Sequence, residues 1–453
     1  MKLPDYFLGD LPPEASLSPA MITEACQTLK RNRRLYLAHR STRSTISVLT
    51  QVAKDWLDPE FPFRKMALSD GPAETGFSRP TLAAGLEAFF KELTPDAFEA
   101  LLEQDLGHKD RLDQFTATPQ EHKRNRAGMG IAPELLVHIT AGNLPNPSLM
   151  SIVLGVLMRS AQFVKCAGGA TFLPRLFAHS LYHADPKLGA CLEIAHWRGG
   201  NAELERPLFE EANCVTATGA DETLAEIRQR IPAKVRFLGY GSRVSFGYVA
   251  HEVLSGLHAR RVVERAAKDV VAWNQLGCLS PHVIYVQGGS SISGDKFAEM
   301  LAEVLGEREL TEPRGDLHVE TAALIASRRS IYELRAAHSP DTRLWSSKNS
   351  TAWTVVYEAN PQFQISCLNR FIYVKDVKDM TETLQGADRV SGRVSTVGLA
   401  APEHKIQELA TELARWGVTR VCPLGQMQNP PLAWRHDGRP ALGDLVTWTD
   451  WEQ

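Results

Sequence analysis

The stretch LLVHITAGNLPNPSLMSIVLGVLMRSAQFVKCAGG, residues 135–169, predicts the fold of the region around it. Two short apolar runs rich in branched residues, 135–140 and 162–167, are separated by a helix-length segment. This order of strand, helix and strand is typical of a parallel β-sheet covered by helices on both faces. Because the same texture continues at 191–197 and 213–219, we predict an α/β domain here.

The same texture returns in the second half of the chain. Residues 251–274 have the apolar spacing of one long helix. The strands predicted after it are 282–287, 353–358, 371–377 and 394–401. This pattern predicts a second α/β domain, with the boundary between the two within residues 239–247, where glycines cluster between strand-like runs.

The N-terminal part differs from both α/β regions. Residues 15–110 carry apolar side chains three and four apart, and Thr94, Pro95 and Asp96 form a helix start signal. We therefore predict four parts of the chain. They are a helical N-terminal part (1–120), a first α/β domain (121–245), a second α/β domain (246–425) and a tail (426–453).

The bulk composition excludes several classes of protein. Hydrophobic residues make up 43% of the 453 residues and the net charge is -3, which indicates a folded globular protein without general attraction to nucleic acid. The most apolar run, 149–158, is shorter than the ~20 residues of a membrane span, and the N-terminus lacks the apolar segment of a signal peptide. The seven cysteines are dispersed without a CxxC pair, so neither disulfides nor a metal site are predicted. We expect a cytoplasmic enzyme.

Cys278 is the first candidate for chemistry. It follows the predicted helix 251–274 and precedes the predicted strand 282–287, so it lies in a loop between them. A thiol in such a loop can be both exposed and positioned, and nearby backbone N–H groups can lower its pKa. The alternative for this residue is a small, buried, apolar cysteine.

Polar and small residues follow the predicted strands of the first α/β domain, where parallel sheets bind their ligands. The amide of Asn143 could stabilise an oxyanion, with a turn-forming asparagine as the alternative. Lys165 ends the next strand and suits a ribose or phosphate, although alone it is typical of a surface lysine. Gly219 and Ala220 open an acidic helix and permit the close approach of a phosphate. The G-x-G-x-x-G fingerprint is absent, so any dinucleotide site is of another kind.

Several segments together resemble one known family. They are AGNLP (141–145), FVK (163–165), GYGSRVSFGY (239–248), NQLGCLSPHVIYV (274–286), WTVVYE (353–358), CLNRFIYV (367–374) and PLGQMQNPPLAWRHDGRPALGDLVTW (423–448). In order and spacing they resemble the LuxC family of fatty acyl-CoA reductases, which belongs to the aldehyde dehydrogenase superfamily. The resemblance runs from about residue 130 onward. It implies an aldehyde-dehydrogenase-like α/β fold with two parallel-sheet domains and a helical N-terminal lead-in. The two domains are then a cofactor-binding domain (121–245), on which the N-terminal part (1–120) packs, and a catalytic thiol domain (246–425), and the tail (426–453) is a candidate oligomerisation element.

The resemblance also implies roles for individual residues. Cys278 is similar to the catalytic thiol in its Asn-Gln-x-x-Cys setting, and Asn143 is similar to the oxyanion-binding asparagine. Lys165 matches the lysine that binds the adenosine ribose, and Glu358 is the candidate for the glutamate that binds the nicotinamide ribose. The implied cofactor-binding residues are Thr140, Lys165, Gly168, Gly219, Ala220, Gly241 and Glu358.

Two departures from hydrolytic aldehyde dehydrogenases are informative. The glutamate that activates a deacylating water is absent, because residues 237–240 read Phe-Leu-Gly-Tyr at its expected place. An enzyme that takes its acyl group from a thioester needs no such base. Gly168 replaces the acidic residue that would contact a free ribose 2′-hydroxyl and repel a 2′-phosphate, so NADPH is favoured over NADH.

The function implied by the resemblance is reduction of a fatty acyl thioester, on CoA or on a protein, to the aldehyde through an acyl-Cys278 intermediate. The family further implies the luminescence aldehyde pathway, an acyl-protein synthetase partner and a homo-oligomer. The alternatives are a reductase of short acyl-CoA or acyl phosphate, a redox-free cysteine acyltransferase or thioesterase, and a binding protein that retains the fold. His436 and Asp437, in the closing segment, have no predicted role beyond a turn.

Overall fold

The structure is a computed structural model that describes residues 3–12 and 14–452. The described residues form two compact units. The first unit contains the residues up to 75, 86–241 and those from 431 onward. The second unit contains 76–85 and 242–430. The division at 241/242 lies inside the predicted boundary 239–247. Residues 76–85 differ from the prediction that all of 1–120 packs on the cofactor domain, since they belong to the second unit.

The strands are numbered in chain order. They are β1 (Arg126–Ile131), β2 (Leu135–Ile139), β3 (Ala161–Cys166), β4 (Leu192–His196), β5 (Cys214–Thr218), β6 (Arg236–Tyr240), β7 (Val244–Val249), β8 (Pro281–Gln287), β9 (Thr342–Ser346), β10 (Thr354–Glu358), β11 (Phe371–Val377), β12 (Val394–Ala400), β13 (Arg420–Pro423) and β14 (Thr447–Glu452).

The helices are numbered in the same way. The α-helices are α1 (Pro19–Tyr36), α2 (Thr42–Leu57), α3 (Pro62–Ser69), α4 (Gly71–Thr75), α5 (Arg79–Lys91), α6 (Pro95–Leu106), α7 (Pro119–His122), α8 (Asn146–Leu157), α9 (Phe172–Ala184), α10 (Pro186–Gly189), α11 (Ala202–Glu211), α12 (Asp221–Arg230), α13 (Gly256–Val271), α14 (Gly294–Thr311), α15 (Val319–His338), α16 (Met380–Gly386) and α17 (Glu403–Trp416). Short 3-10 helices occupy Leu8–Asp10, His251–Val253, Ala272–Gln275, Asp388–Val390 and His436–Gly438.

Helix α6 shows how local sequence sets an element in the helical N-terminal part. The Thr94 hydroxyl accepts a hydrogen bond from the Ala97 N–H, and Pro95 occupies the first turn, where its missing N–H costs nothing. Gly107 ends the helix in the left-handed region, with φ 77°. The start signal predicted at Thr94 is therefore confirmed.

The first unit contains a five-stranded parallel sheet in the order β4-β3-β2-β5-β6. Its central strands β2 and β3 are buried on both faces, which is why they are nearly continuous apolar runs in the sequence. The connections run to one side of β2 and then return to the other side, so the order reverses between β2 and β5. Open α/β sheets bind ligands outside the carboxyl ends of their strands at such a reversal.

His138 is a buried imidazole in the core of this sheet. Its Nδ1 lies 2.7 Å from the Thr216 hydroxyl and its Nε2 lies 3.1 Å from the Gln162 Oε1. The amide oxygen can only accept, so Nε2 carries the proton and Nδ1 accepts from Thr216. Burial lowers the pKa of His138 from 6.5 to about 4, although the bond to Gln162 opposes this shift.

This depressed pKa predicts acid sensitivity of the first unit. Below pH 6.5 the unfolded imidazole takes up a proton that the folded one refuses until about pH 4, so the free energy of unfolding should fall with falling pH in that window. The expected contribution is about 1.4 kcal/mol per pH unit. Denaturant unfolding at several pH values should show a shallower acid slope for His138→Gln than for the wild type. Equal slopes would contradict the assignment.

The second unit contains a seven-stranded sheet in the order β13-β12-β7-β8-β11-β10-β9. All neighbouring pairs are parallel except β9, which pairs antiparallel with β10 at the edge. Two apolar clusters cover its faces, one containing buried residues of α13 and α14 and the other buried residues of α15 and α17. The fold is α/β with two parallel-based sheets, as predicted.

A separate two-stranded antiparallel sheet joins β1 to β14 in the first unit. All six residues of β14 are exposed, including Trp448 and Trp451. Strand β14 lies within the predicted tail 426–453. No helix among the described residues is long and apolar enough to cross a membrane.

Candidate active site

Cys278 lies in a turn between α13 and β8 and is half-buried. The predicted helix 251–274 ends earlier, because Trp273, Asn274 and Gln275 adopt left-handed backbone conformations with φ 50°, 52° and 65°. Such conformations are costly for residues other than glycine and are concentrated at functional sites. The chain is thus held in an unfavourable path just before the thiol.

The side chains before Cys278 hold this path in place. Gln275 is fully buried, and its Nε2 donates to the carbonyl oxygens of Pro281 at 2.7 Å and Phe371 at 3.0 Å. The Asn274 Nδ2 donates to the Arg314 carbonyl at 2.8 Å. Because Pro281 begins β8, Gln275 ties the segment before the thiol to the strand after it.

A second strained segment lies against the first. Leu368, Asn369 and Arg370 also have positive φ, at 59°, 55° and 65°. The Gln275 amide reaches both sides of this segment, since it lies 3.4 Å from the Ser366 hydroxyl as well as on the Phe371 carbonyl. The Gln275 side chain therefore links the two strained segments, 273–275 and 368–370, in the second unit.

Ser245 contacts the backbone of the thiol residue itself. Its hydroxyl donates to the Cys278 carbonyl oxygen at 2.7 Å and accepts from the Thr396 N–H at 3.1 Å. Ser245 is fully buried in β7. Sequence reasoning missed this residue, since a serine in an apolar strand carries no signal of a contact to a residue 33 positions later.

Residues 76–85 pack beneath the same turn, which explains why they belong to the second unit. The ring of Phe77 meets the Trp273 ring edge-on with centroids 5.2 Å apart. A Cβ on Gly85 would lie 2.0 Å from the Trp273 ring, so only glycine allows this close approach.

The first unit collects the predicted cofactor residues at one edge. Thr140 follows β2, Lys165 lies near the end of β3, and Gly168, Gly219 and Gly241 follow β3, β5 and β6. Parallel strands place their carboxyl ends together, and the backbone confirms the alignment. The Thr140 N–H donates to the Lys165 carbonyl at 3.1 Å, and the Gly219 N–H donates to the Tyr240 carbonyl at 3.2 Å.

Lys165 is not the surface lysine of the alternative interpretation. It is only 5% exposed, and burial lowers its pKa, an effect that the nearby Glu205 carboxylate opposes. Its Nζ lies 5.9 Å from the centre of the Trp197 ring. A buried ammonium beside an aromatic ring at a ligand-binding edge is a preorganised donor.

The space around Gly168 and Gly219 suits a bound nucleotide, but the negative charge beside Ala220 does not. A Cβ on Gly168 or Gly219 would meet nothing within 4 Å, so open space surrounds both residues. Ala220 precedes α12, but Asp221 and Glu222 in its first turn would disfavour a phosphate there. A Cβ on Gly241 would lie 2.2 Å from the Asp221 Oδ1, so this glycine makes room for a side chain of the protein itself.

Asn143 lies in the exposed loop between β2 and α8. An ideal Cβ on the neighbouring Gly142 would lie 3.2 Å from the Ala167 Cβ, which places this loop against the Gly168 loop. Helix α8 begins at Asn146, with Pro145 before it and no side-chain cap. The N-cap residue of α8 is therefore Pro145 and not Asn143.

Glu358 is placed differently from the prediction. Its carboxylate accepts from the Lys375 Nζ at 3.1 Å and the Arg335 Nη1 at 3.0 Å, and it is 7% exposed. It lies level with Lys375, which in turn lies level with Tyr285 in β8. Cys278 precedes β8, so several residues of strand at ~3.3 Å each separate the two along the sheet. The structure does not bring Glu358 to Cys278, because β10 ends at the opposite edge.

The closing segment covers the end of β6 in the first unit. The His436 ring stacks on Tyr240 with centroids 4.7 Å apart, and Trp434 contacts His436 at 4.8 Å. The Arg439 Nη1 donates to the Gly239 carbonyl at 3.1 Å. Burial raises the pKa of Tyr240 to about 12. Asp437, with φ 53°, is a further strained residue. No local pattern in the sequence marks this aromatic stack.

Solved structures share this fold. A bifunctional proline utilization A (PutA) protein matches with a TM-score of 0.73 at 14% identity, over 96% of this chain and 45% of that longer chain. The chain thus spans less than half of that protein. An NADP-dependent glyceraldehyde-3-phosphate dehydrogenase from Bacillus halodurans C-125, solved with NADP, matches with a TM-score of 0.69 at 13% identity, over 96% of this chain and 92% of that one. The fold is that of the aldehyde dehydrogenases.

Sequence relatives carry the comparison further. A long-chain acyl-protein thioester reductase from Aliivibrio fischeri is 23% identical over 454 aligned positions, which cover 96% of this chain and 87% of the relative. The family model described as acyl-CoA reductase (LuxC) matches residues 37–448, which include most of the first unit, the whole second unit and the Cys278 turn. The protein therefore belongs to the acyl-CoA reductase (LuxC) family.

Proposed function

We propose that this protein, a reductase by its family, converts a long-chain acyl thioester to the aldehyde with NADPH through a covalent acyl intermediate on Cys278. The observation that carries the proposal is the turn around Cys278. Its carbonyl is fixed by Ser245 and its flanks are fixed by Gln275, with the thiol left half-buried at a strained site. A nucleophile needs this combination of access and fixed geometry.

In the proposed first step, the Cys278 thiolate attacks the carbonyl carbon of the acyl thioester. A carbon–sulfur bond to the enzyme forms, and the bond to the donor sulfur breaks, so that the donor leaves as a thiolate that then takes up a proton. The Asn143 amide and the Cys278 backbone N–H are proposed to donate to the oxygen as it gains negative charge.

The cofactor is proposed to bind at the carboxyl edge of the five-stranded sheet, held by Lys165 with Thr140, Gly168 and Gly219 nearby. When bound, NADPH supplies the hydride for the acyl carbon. The bond between that carbon and the Cys278 sulfur then breaks, which releases the aldehyde and restores the thiol. Glu358 is not included, since its carboxylate is held by Lys375 and Arg335.

Hydrolysis must be slow for such an intermediate to be useful. The hydrolytic glutamate is replaced by the segment 237–240 in β6, which contributes no carboxylate. The only protein partner supported by the relatives is the acylated protein in their names, so we propose an acyl-protein, or acyl-CoA, as the donor. An acyl-protein synthetase partner, a cytoplasmic location and a homo-oligomer built with the tail 426–453 belong to the same proposal.

The direct test is NADPH oxidation at 340 nm with tetradecanoyl-CoA, with the product identified. We expect one molecule of tetradecanal for each NADPH oxidised. A second arm with short acyl-CoA and acyl phosphate tests the rival substrates within the superfamily. Release of free tetradecanoic acid, or acyl transfer without NADPH oxidation, would instead support a redox-free acyltransferase or thioesterase.

Gly168→Glu is expected to change the cofactor preference. The residue is exposed and its backbone φ is not in the left-handed region, so a side chain enters open space without strain. A carboxylate there should repel a 2′-phosphate, and a penalty of about 1.4 to 3 kcal/mol corresponds to a ten- to 100-fold loss of NADPH affinity. Quenching of tryptophan fluorescence measures binding of NADPH and NADH. Gly168→Gln is the matched neutral control, and an unchanged NADPH:NADH affinity ratio in Gly168→Glu would refute the placement.

A further inference from the structure

We infer that Ser245 is a positioning residue of the reaction, whose hydroxyl holds the peptide unit that carries the nucleophile. This inference rests on the proposed role of Cys278. Ser245 belongs to β7 and is proposed to act without contacting the substrate or the thiol. It acts through the Cys278 carbonyl oxygen, to which it donates at 2.7 Å.

A backbone hydrogen bond closes the turn around Cys278. The Ser280 N–H donates to the Gly277 carbonyl at 2.9 Å, which closes a four-residue turn with Cys278 and Leu279 at its centre. In such turns the central peptide can face either way, and its orientation distinguishes the main turn types. That central peptide contains the Cys278 carbonyl.

The Ser245 hydroxyl removes this freedom. It bridges the Cys278 carbonyl and the Thr396 N–H, so it links the turn to the neighbouring strand β12. Both ladders of β7 are irregular here. The register with β8 shifts between Ser245 and Phe246, and the register with β12 shifts between Val394 and Thr396. The Ser245 hydroxyl therefore bonds to the backbone where the regular pairing of β7 with β8 and β12 is interrupted.

The orientation of this central peptide affects the groups beside the reacting thiol. Rotation of the central peptide changes ψ of Cys278 and φ of Leu279, so it turns the Cys278 carbonyl and the Leu279 N–H, which lie directly beside the nucleophile. A misplacement of about 1 Å at a reacting group can cost up to about 100-fold in rate. The Ser245 hydroxyl is fully buried and has two hydrogen-bond partners, so it fixes the peptide unit beside the nucleophile.

The chain supplies a matched control in the adjacent strand. Ser395 is also fully buried, but its hydroxyl has no hydrogen-bond partner among the described residues. Replacement of either serine by alanine removes one buried oxygen from the same sheet. Only Ser245→Ala releases the Cys278 carbonyl.

The experiment compares Ser245→Ala and Ser395→Ala in single-turnover acylation by tetradecanoyl-CoA without cofactor, with parallel steady-state assays. We expect Ser245→Ala to acylate Cys278 about ten- to 100-fold more slowly and to lose kcat, with NADPH affinity within twofold of wild type. A merely structural defect would not separate acylation from NADPH binding. Ser395→Ala should acylate at the wild-type rate.

Acylation of Ser245→Ala at the rate of Ser395→Ala would overturn the inference. If Ser245→Ala does not fold, Ser245→Cys retains the size with a weaker donor, and a wild-type acylation rate in that variant overturns it equally. Wild-type protein that never acylates Cys278 would instead refute the proposed function. In that case the rate of Cys278 alkylation by iodoacetamide in the same variants still reports on the positioning.

Discussion

Cys278→Ala is expected to keep its fold and to lose at least about 1,000-fold in NADPH-dependent aldehyde formation, because removal of a covalent nucleophile abolishes the path through the acyl-enzyme. The thiol is half-buried in a turn held by Ser245 and Gln275, so its replacement by a smaller side chain leaves those contacts in place. NADPH oxidation with tetradecanoyl-CoA measures the loss.

Cys422→Ala is the matched control for this variant. Cys422 is also half-buried and lies in the second unit, but burial raises the pKa of its thiol to about 11, which leaves it protonated and unreactive at neutral pH. We expect nearly wild-type activity from it. Comparable activity in Cys278→Ala and Cys422→Ala would exclude Cys278 as the nucleophile.

Asn143→Ala is expected to lose about 100- to 1,000-fold in kcat, which is the usual effect of removing one oxyanion donor. The residue lies in an exposed loop before α8, so we expect the variant to remain folded. Steady-state kinetics and thermal unfolding together test both statements.

Asn146→Ala provides the comparison for Asn143. It removes an amide from the first residue of α8, a few positions along the same loop and helix junction. We expect kcat close to that of the wild type. If Asn143→Ala turns over at the rate of Asn146→Ala while both remain folded, the Asn143 amide has no part in stabilising the oxyanion.

Much of the fold could be predicted because parallel strands are buried on both faces. Strands β2, β3 and β5 are short apolar runs of branched residues, and their spacing by helix-length segments indicates the parallel order. Strand β14 has the opposite character. Its residues TWTDWE are all exposed and pair with a strand more than 300 residues earlier, so no local pattern marks it.

The predicted helix 251–274 shows where local sequence reaches its limit. The apolar spacing continues through Trp273, but contacts to distant residues hold Trp273, Asn274 and Gln275 in left-handed conformations. Gln275 bonds to Phe371 and Asn274 bonds to Arg314. Tertiary contacts therefore overrode the helical pattern at the position that matters for the thiol.

The placement of a candidate residue could be predicted where it lies in or beside a predicted strand or loop, as for Cys278, Asn143 and Lys165, whose roles stay predictions. It was not predictable where the partner is distant in sequence. Glu358 looked available as an acidic residue at a strand end, yet Lys375 and Arg335 hold its carboxylate. Ser245 looked like an ordinary strand residue, yet it holds the Cys278 carbonyl.

The central claim is a covalent acyl group on Cys278 that NADPH removes as aldehyde, and trapping that group tests it most directly. The protein is incubated with tetradecanoyl-CoA without cofactor, analysed by intact mass and peptide mapping, and then supplied with NADPH. We expect one tetradecanoyl group on the peptide that contains Cys278, and its loss as tetradecanal when NADPH is added. Absence of the adduct before NADPH is added, in protein that does turn over with NADPH, or its release as free acid regardless of NADPH, would contradict this mechanism.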